Sequence, residues 1–149
     1  MKKFLISMLM LFTTNLLFAD WYYGEVKING RPLIHQFAKD KYKKEYFVGI
    51  GKVIVDTGYS QYDEYFLFVE NSLGDLTDDV VVKVDNNKEW YPLNPSIYTK
   101  QVGIGDTLLK QMKAGKQMKI IISENEENPI YVDLKGFTKA ISKIEKLYD

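Results

Sequence analysis

Apolar residues fall into three regimes along the chain. The first is a nearly unbroken run from Phe4 to Phe18, preceded by Lys2 and Lys3 and followed by the small residue Ala19. That layout predicts a secretory signal peptide over residues 1–19, cleaved ahead of Asp20. From Trp21 to Leu93 the apolar residues come in short runs separated by turn residues, the pattern of successive strands rather than helices. Val26 and Ile28 lead into Asn29-Gly30 and then Leu33, Ile34 and Phe37. Asn-Gly accepts the positive φ of a tight hairpin turn, so these two runs are expected to pair. Tyr46 to Val55 is the next strand, and Gly49 and Gly51 inside it predict a bulge or bend. Asp56 to Asp63 reads as a polar loop, and Tyr65 to Val69, apolar on both faces, as a central strand. Val80, Val82 and Val84 alternate with Val81, Lys83 and Asp85 before Asn86-Asn87 turns the chain toward Trp90, which predicts a half-buried hairpin.

The third regime is helical at two points. Asp106 is placed to cap a helix from Thr107 to about Ala114, with Leu108, Leu109 and Met112 inward and Gly115 at a left-handed end. Met118 to Ile122 reads as a strand, Glu124 to Asn128 as an exposed turn, and Ile130 to Leu134 as the returning strand. Phe137, Ala140, Ile141, Ile144 and Tyr148 then recur at helical spacing, with Lys139, Lys143 and Lys146 on the other side. The expected architecture is α+β and mainly β: about eight short strands followed by a helix-strand-strand-helix tail. This would form a twisted antiparallel sheet or small β-sandwich with two helices near the C-terminus. Residues 20–149 are expected to form a single exported domain, too short for two cores.

Composition narrows the chemistry. The chain of 149 residues has no cysteine, which excludes disulfide scaffolds, thiol nucleophiles, thiolate zinc sites and lipid attachment at a first mature cysteine. Without residues 1–19 it carries 18 bases and 20 acids, a balance unsuited to nucleic acid. No apolar run beyond the signal reaches the roughly 18 residues that span a bilayer. No cofactor motif is present. The single histidine, His35, lies in a predicted strand and reads as a surface or partly packed residue. Ser60, Ser72, Ser96, Ser123 and Ser142 lie in no nucleophile motif. Asp85, Asn86, Asn87 and Glu89 are rich in oxygen ligands but depart from the calcium-loop pattern, with Trp90 where glycine is needed.

Charge and aromatic residues supply the remaining candidates. Residues 20–60, 61–95 and 96–149 carry net charges of +2, −6 and +2, so the middle is an acidic band containing Asp75, Asp78 and Asp79. Lys39, Lys41, Lys43 and Lys44 form a basic loop before it. Trp21, Tyr22, Tyr23, Trp90 and Tyr91 are the densest aromatic groups among eleven tyrosines and two tryptophans. Such rings supply contact area at modest entropic cost, and they also fill cores. The binding candidates are therefore Trp21, Tyr22, Tyr23, Trp90, Tyr91, Asp75, Asp78 and Asp79.

The tail from about Tyr98 to Tyr148, with TLLKQMKAGKQMKIII and IYVDLKGFTKAISKIEKLY, resembles the C-terminal half of two families. These are the invasion-associated locus B type exported proteins and the periplasmic accessory proteins of type VI secretion loci. The resemblance implies an exported β-sandwich with a terminal helix and no established enzyme activity, and it transfers no functional residue. The expected function is a non-enzymatic binding or accessory protein, periplasmic or secreted, contacting another envelope or secreted protein or a small ligand. One alternative is an immunity or inhibitor protein that sets the acidic band against a basic cleft. Another is a hydrolase using carboxylates, for instance Asp63 and Glu64 with Glu70.

Overall fold

A computed structural model describes residues 20–28, 30–70, 80–90, 101–122 and 128–148. Within these residues eight strands form one antiparallel sheet: β1 Tyr22–Ile28, β2 Arg31–Lys39, β3 Glu45–Asp56, β4 Gln61–Glu70, β5 Val81–Val84, β6 Gln101–Ile104, β7 Gln117–Ile121 and β8 Ile130–Asp133. Two helices accompany them among the described residues, α1 Asp106–Ala114 and α2 Phe137–Glu145, and a short 3-10 turn, Lys146–Tyr148, follows. The spatial order is β5-β7-β8-β2-β3-β4-β6. β1 pairs with the first half of β2, and β8 meets β2 at Lys39. The chain is thus mainly β, as the spacing of apolar runs predicts. Among the described residues six strands precede α1 rather than about eight.

Register builds the core. Ile34, Ile50, Leu67 and Val102 face one another in a row across β2, β3, β4 and β6, all essentially inaccessible to solvent. On the other half of the sheet Val82 pairs with Ile120 and Ile120 with Ile130, again all buried. Leu108, Leu109 and Met112 of α1 and Phe137, Ala140, Ile141 and Ile144 of α2 join the same buried cluster. Gly136, at φ 78°, turns the chain into α2 in the left-handed region, and Phe137 is its first buried anchor. The free edge of β5 bonds the backbone of Trp90 through both Val82 N–H and Val82 C=O. Trp90 also lines a cavity shared with β4 and β6, so the two ends of the strand order curl toward each other.

Several local expectations change. The ladder passes through Gly49 and Gly51 without a register shift, so neither marks a bulge. They are small because rings and branches lie over them. A Cβ on Gly51 would sit 2.3 Å from Cζ of Phe66, and one on Gly49 would sit 3.0 Å from Cδ1 of Leu33. The register shift lies in β1, between Tyr23 and Lys27. Asp106 is the first helical residue, not a cap, and makes no capping bond from its side chain. Gly115 is extended, at φ −86°, not left-handed; a Cβ there would meet Cγ1 of Val84 at 2.4 Å. His35 is buried, 3% exposed, with its ring stacked on Phe47 at 4.8 Å.

The basic loop is organised by one carboxylate. Asp40 accepts hydrogen bonds from the Tyr42 and Lys44 amides (2.8 and 3.0 Å), the Tyr46 hydroxyl (3.2 Å) and the Asn128 side-chain amide (2.6 Å). Burial alone would raise its pKa. The Asn128 amide, the Lys44 and Tyr42 N–H groups and the Tyr46 hydroxyl outweigh burial and hold the carboxyl below its ordinary value. Burial, and then the charge and hydrogen bond of Asp40, raise the Tyr46 hydroxyl above its own ordinary value.

Two outcomes follow for stability. Gly51→Ala is expected to cost about 1–3 kcal/mol in urea unfolding, the usual penalty for forcing an extra methyl into a filled space; an unchanged midpoint would contradict the packing of Phe66. A carboxylate with a depressed pKa stabilises the fold above its unfolded-state pKa, and that contribution is lost as pH falls through the folded value. Asp40→Asn is therefore expected to lower the urea midpoint at about pH 7, with the gap to the wild-type chain closing below about pH 4. A gap of constant size down to about pH 3 would show that the anion is not what stabilises the loop.

Candidate interaction site

β3 and β4 outrun their neighbours. β2 pairs with β3 as far as Gly51, and β6 pairs with β4 as far as Tyr65. Beyond those points β3 and β4 continue with each other through Val53–Glu64, Ile54–Asp63, Val55–Tyr62 and Asp56–Gln61. Among the described residues this leaves a two-stranded ribbon four residue pairs long, or roughly 13 Å at the usual strand rise. A two-stranded hairpin is marginal on its own. This one is held at both ends.

At the base, Lys52 is 3% exposed and its ammonium lies 2.7 Å from Oδ2 of Asp63. The same ammonium donates to the main-chain carbonyl of Glu145 at 3.3 Å. Glu145 is the last residue of α2, where the helix dipole is negative, so a cation is well placed there. The lysine thus fastens the ribbon to α2. At the tip, Thr57 N–H donates to Ser60 C=O at 3.0 Å and Ser60 N–H to Oγ1 of Thr57 at 3.2 Å. The Asp56 carboxylate accepts from Gly58 N–H at 2.8 Å and from the Gln61 amide at 3.0 Å. Those two bonds, Gln61 first, lower its pKa against the opposing effect of burial. Gly58, at φ 79°, supplies the left-handed turn. The result is a cross-bonded tip on which Tyr59 is 100% exposed, with Ile54 and Tyr62 (50%) exposed along the ribbon behind it.

Beside the ribbon base, β6 ends at Ile104 and the chain turns through Gly105 into α1, which leaves residues 62–64 of β4 along an opening. A cavity of about 300 Å³ lies there, lined by Tyr62, Asp63, Glu64 and Tyr65, by Gly103 to Asp106, and by Trp90. Glu64 lies over Gly103, where a Cβ would stand 2.7 Å from its Oε1. Among the described residues the lining includes three acidic residues, Asp63, Glu64 and Asp106, and no lysine or arginine.

The residues singled out from the sequence separate. Trp21 donates its indole N–H to the Asp133 carbonyl at 2.9 Å and meets the Phe137 ring edge-on at 5.1 Å. Tyr23 is half-buried with the Lys143 ammonium over its ring, and both residues pack on the core. Tyr22, on the opposite face of β1, is exposed and leans on His35 at 5.4 Å. Trp90 stands apart from them, in the acidic cavity. Tyr91, Asp75, Asp78 and Asp79 lie outside the described residues. Asp63 and Glu64 are neighbours on an extended strand and point to opposite faces, and Glu70 lies six positions beyond Glu64, roughly 20 Å away. The three therefore do not converge on one bond. Among the described residues no group of three or more acidic, histidine or cysteine side chains is arranged to hold a metal ion, and no helix is long and apolar enough to cross a membrane. Asp85 instead clamps the start of β7 by accepting from Lys116 N–H and Gln117 N–H, both at 3.0 Å.

Comparison with known proteins found no matching family model, curated protein or solved structure.

The tip geometry has a direct readout. Asp56→Ala is expected to accelerate hydrogen exchange at the Gly58 amide while leaving the melting temperature unchanged, because the lost bonds are local to an exposed turn. Unaltered exchange would mean that the tip is not held by Asp56.

Proposed function

We propose that this chain is a non-enzymatic, exported binding or accessory protein of the bacterial envelope and that it acts through the β3–β4 ribbon. The observation that carries the reading is the cross-bonded tip with Tyr59 wholly exposed. A fully solvated aromatic side chain contributes little to its own fold, whereas a tyrosine on a rigid support is a favourable contact residue because little motion is lost on binding. The signal-like residues 1–19, the sequence's lack of nucleophile motifs and the likeness of its tail to exported accessory proteins support the same reading. The acidic ribbon base favours one form of it, an inhibitor or immunity protein whose ribbon enters the basic cleft of a toxin or hydrolase.

The test is recovery of a defined partner from the native envelope by purified residues 20–149. Tyr59→Ala is expected to weaken that complex by about tenfold or more without moving the melting temperature. Equal binding by both proteins, no partner in repeated copurification, or robust turnover of a substrate by the purified chain would overturn the reading.

A further inference from the structure

The two edges of the ribbon differ in chemistry. β4 offers Tyr62, Asp63 and Glu64, and charged side chains of this kind deter another strand from adding. β3 offers Val53, Ile54 and Val55, three consecutive β-branched residues with no charge or proline among them. β2 leaves β3 after Leu33 and Gly51, beside Pro32, which has no N–H to donate. From Lys52 to Asp56 the strand runs on, roughly 16 Å at the usual rise, and among the described residues it is paired there only with β4. A strand bonded on one side leaves the N–H and C=O of alternate residues pointing outward on the other. The neighbouring segments end away from this edge. Glu70 pairs with Phe47 at the opposite end of β3, Gln101 pairs with Phe68 on the far side of β4, and β8 meets β2 at Lys39. Solvent reaches the edge: Ile54 is 38% exposed, Asp56 is exposed, and Val53 and Val55 are half-buried.

We infer that this edge pairs with the same edge of a second copy of the chain, antiparallel and about a two-fold axis through Ile54. The free run, Lys52-Val53-Ile54-Val55-Asp56, complements itself. In that register Ile54 faces Ile54 of the second copy, Val53 faces its Val55, and Lys52 stands opposite its Asp56. Branched side chains meet branched side chains and no like charges oppose each other, as an isologous contact requires. Because the pleat has a period of two, the next register toward the tip sets Ile54 against Asp56, and the next the other way drives the incoming strand onto β2. Lys52 keeps its bonds to Asp63 and Glu145, and Asp56 keeps its bonds to Gly58 and Gln61, since the main chain makes the new contact. The short edge engages far fewer than the roughly 20–30 residues a side of a standard interface, so the dimer is weak and concentration-dependent. The two tips lie at opposite ends of the joined ribbon with Tyr59 still exposed, and the pairing stands whether or not the tip has a partner.

The test is sedimentation equilibrium of purified residues 20–149 from about 10 μM to about 1 mM, the range in which a small contact associates. The unmutated chain is expected to pass from monomer to dimer across that range. Ile54→Lys puts like charges face to face across the axis and is expected to remain monomeric throughout, with an unchanged melting temperature because the position is exposed. A second variant does not rely on disruption. The chain has no native cysteine, so mild oxidation of Ile54→Cys is expected to give a covalent dimer, while Tyr59→Cys at the exposed tip stays monomeric. A monomer at every concentration, a dimer that Ile54→Lys leaves intact, or cross-linking of Tyr59→Cys as fast as that of Ile54→Cys would overturn the assignment. Growth beyond two copies would overturn the closed two-fold pair. Slowed hydrogen exchange at residues 53–56 only when an envelope partner is added, in a chain that stays monomeric, would give the edge to that partner's strand instead. Tyr59→Ala is expected to leave the dimer intact, so loss of partner binding at the tip and loss of edge pairing are distinguished.

Discussion

The burial of β3 on both faces is the constraint from which the rest of the molecule is arranged. Val48, Ile50 and Lys52 face α2 on one side, while Phe47, Gly49 and Gly51 lie on the other beneath or beside Leu33 and Phe66. Each fully buried aliphatic or aromatic side chain contributes roughly 1.5–3 kcal/mol, so a strand that gains on both faces holds its neighbours firmly in register. Glycine is what permits this density. Removing the side chain at Gly51 lets the Phe66 ring close directly onto the backbone.

That arrangement ends abruptly, and its ending creates the candidate site. Past Gly51 and Tyr65 the outer strands stop, yet β3 and β4 keep pairing, since two long strands joined by a tight turn satisfy each other's inward backbone groups. Lys52 stands at the boundary. Its charge would be costly so deep in the fold, but Asp63 and the carbonyl end of α2 surround it and offset the desolvation. An element that would be floppy in isolation is thereby fixed to the helix, which lowers the entropy lost when its tip engages another surface.

Aromatic residues divide their work by position rather than by type. Trp21, just before β1, and Tyr23 within it alternate with Tyr22, so two rings seal the core beside α2 while the third rests on the opposite face over His35. Trp90 joins the two ends of the curled sheet and also walls the acidic cavity. The most exposed rings among the described residues, Tyr42, Tyr59 and Tyr62, lie outside the dense aromatic groups of the sequence.

Local pattern alone determined the mainly β class, the Asn29-Gly30 hairpin, the strand leading to Trp90 and the apolar stripe of α2. Turn chemistry and periodicities of 2 and 3.6 residues are properties of neighbouring residues, so they are legible without a fold. The ribbon was not legible: Gln61-Tyr62-Asp63-Glu64 reads as polar loop because a strand exposed on both faces loses the alternation that burial imposes. Likewise, the glycines of β3 announced an irregularity but not the rings above them, which come from residues on another strand. Only tertiary structure could decide that Lys52 meets Glu145, that Trp90 shares a cavity with Glu64 and Asp106, and that Trp21 is committed to Phe137. Those contacts join residues far apart in sequence, and no local spacing encodes which distant partner the packed chain will bring within reach.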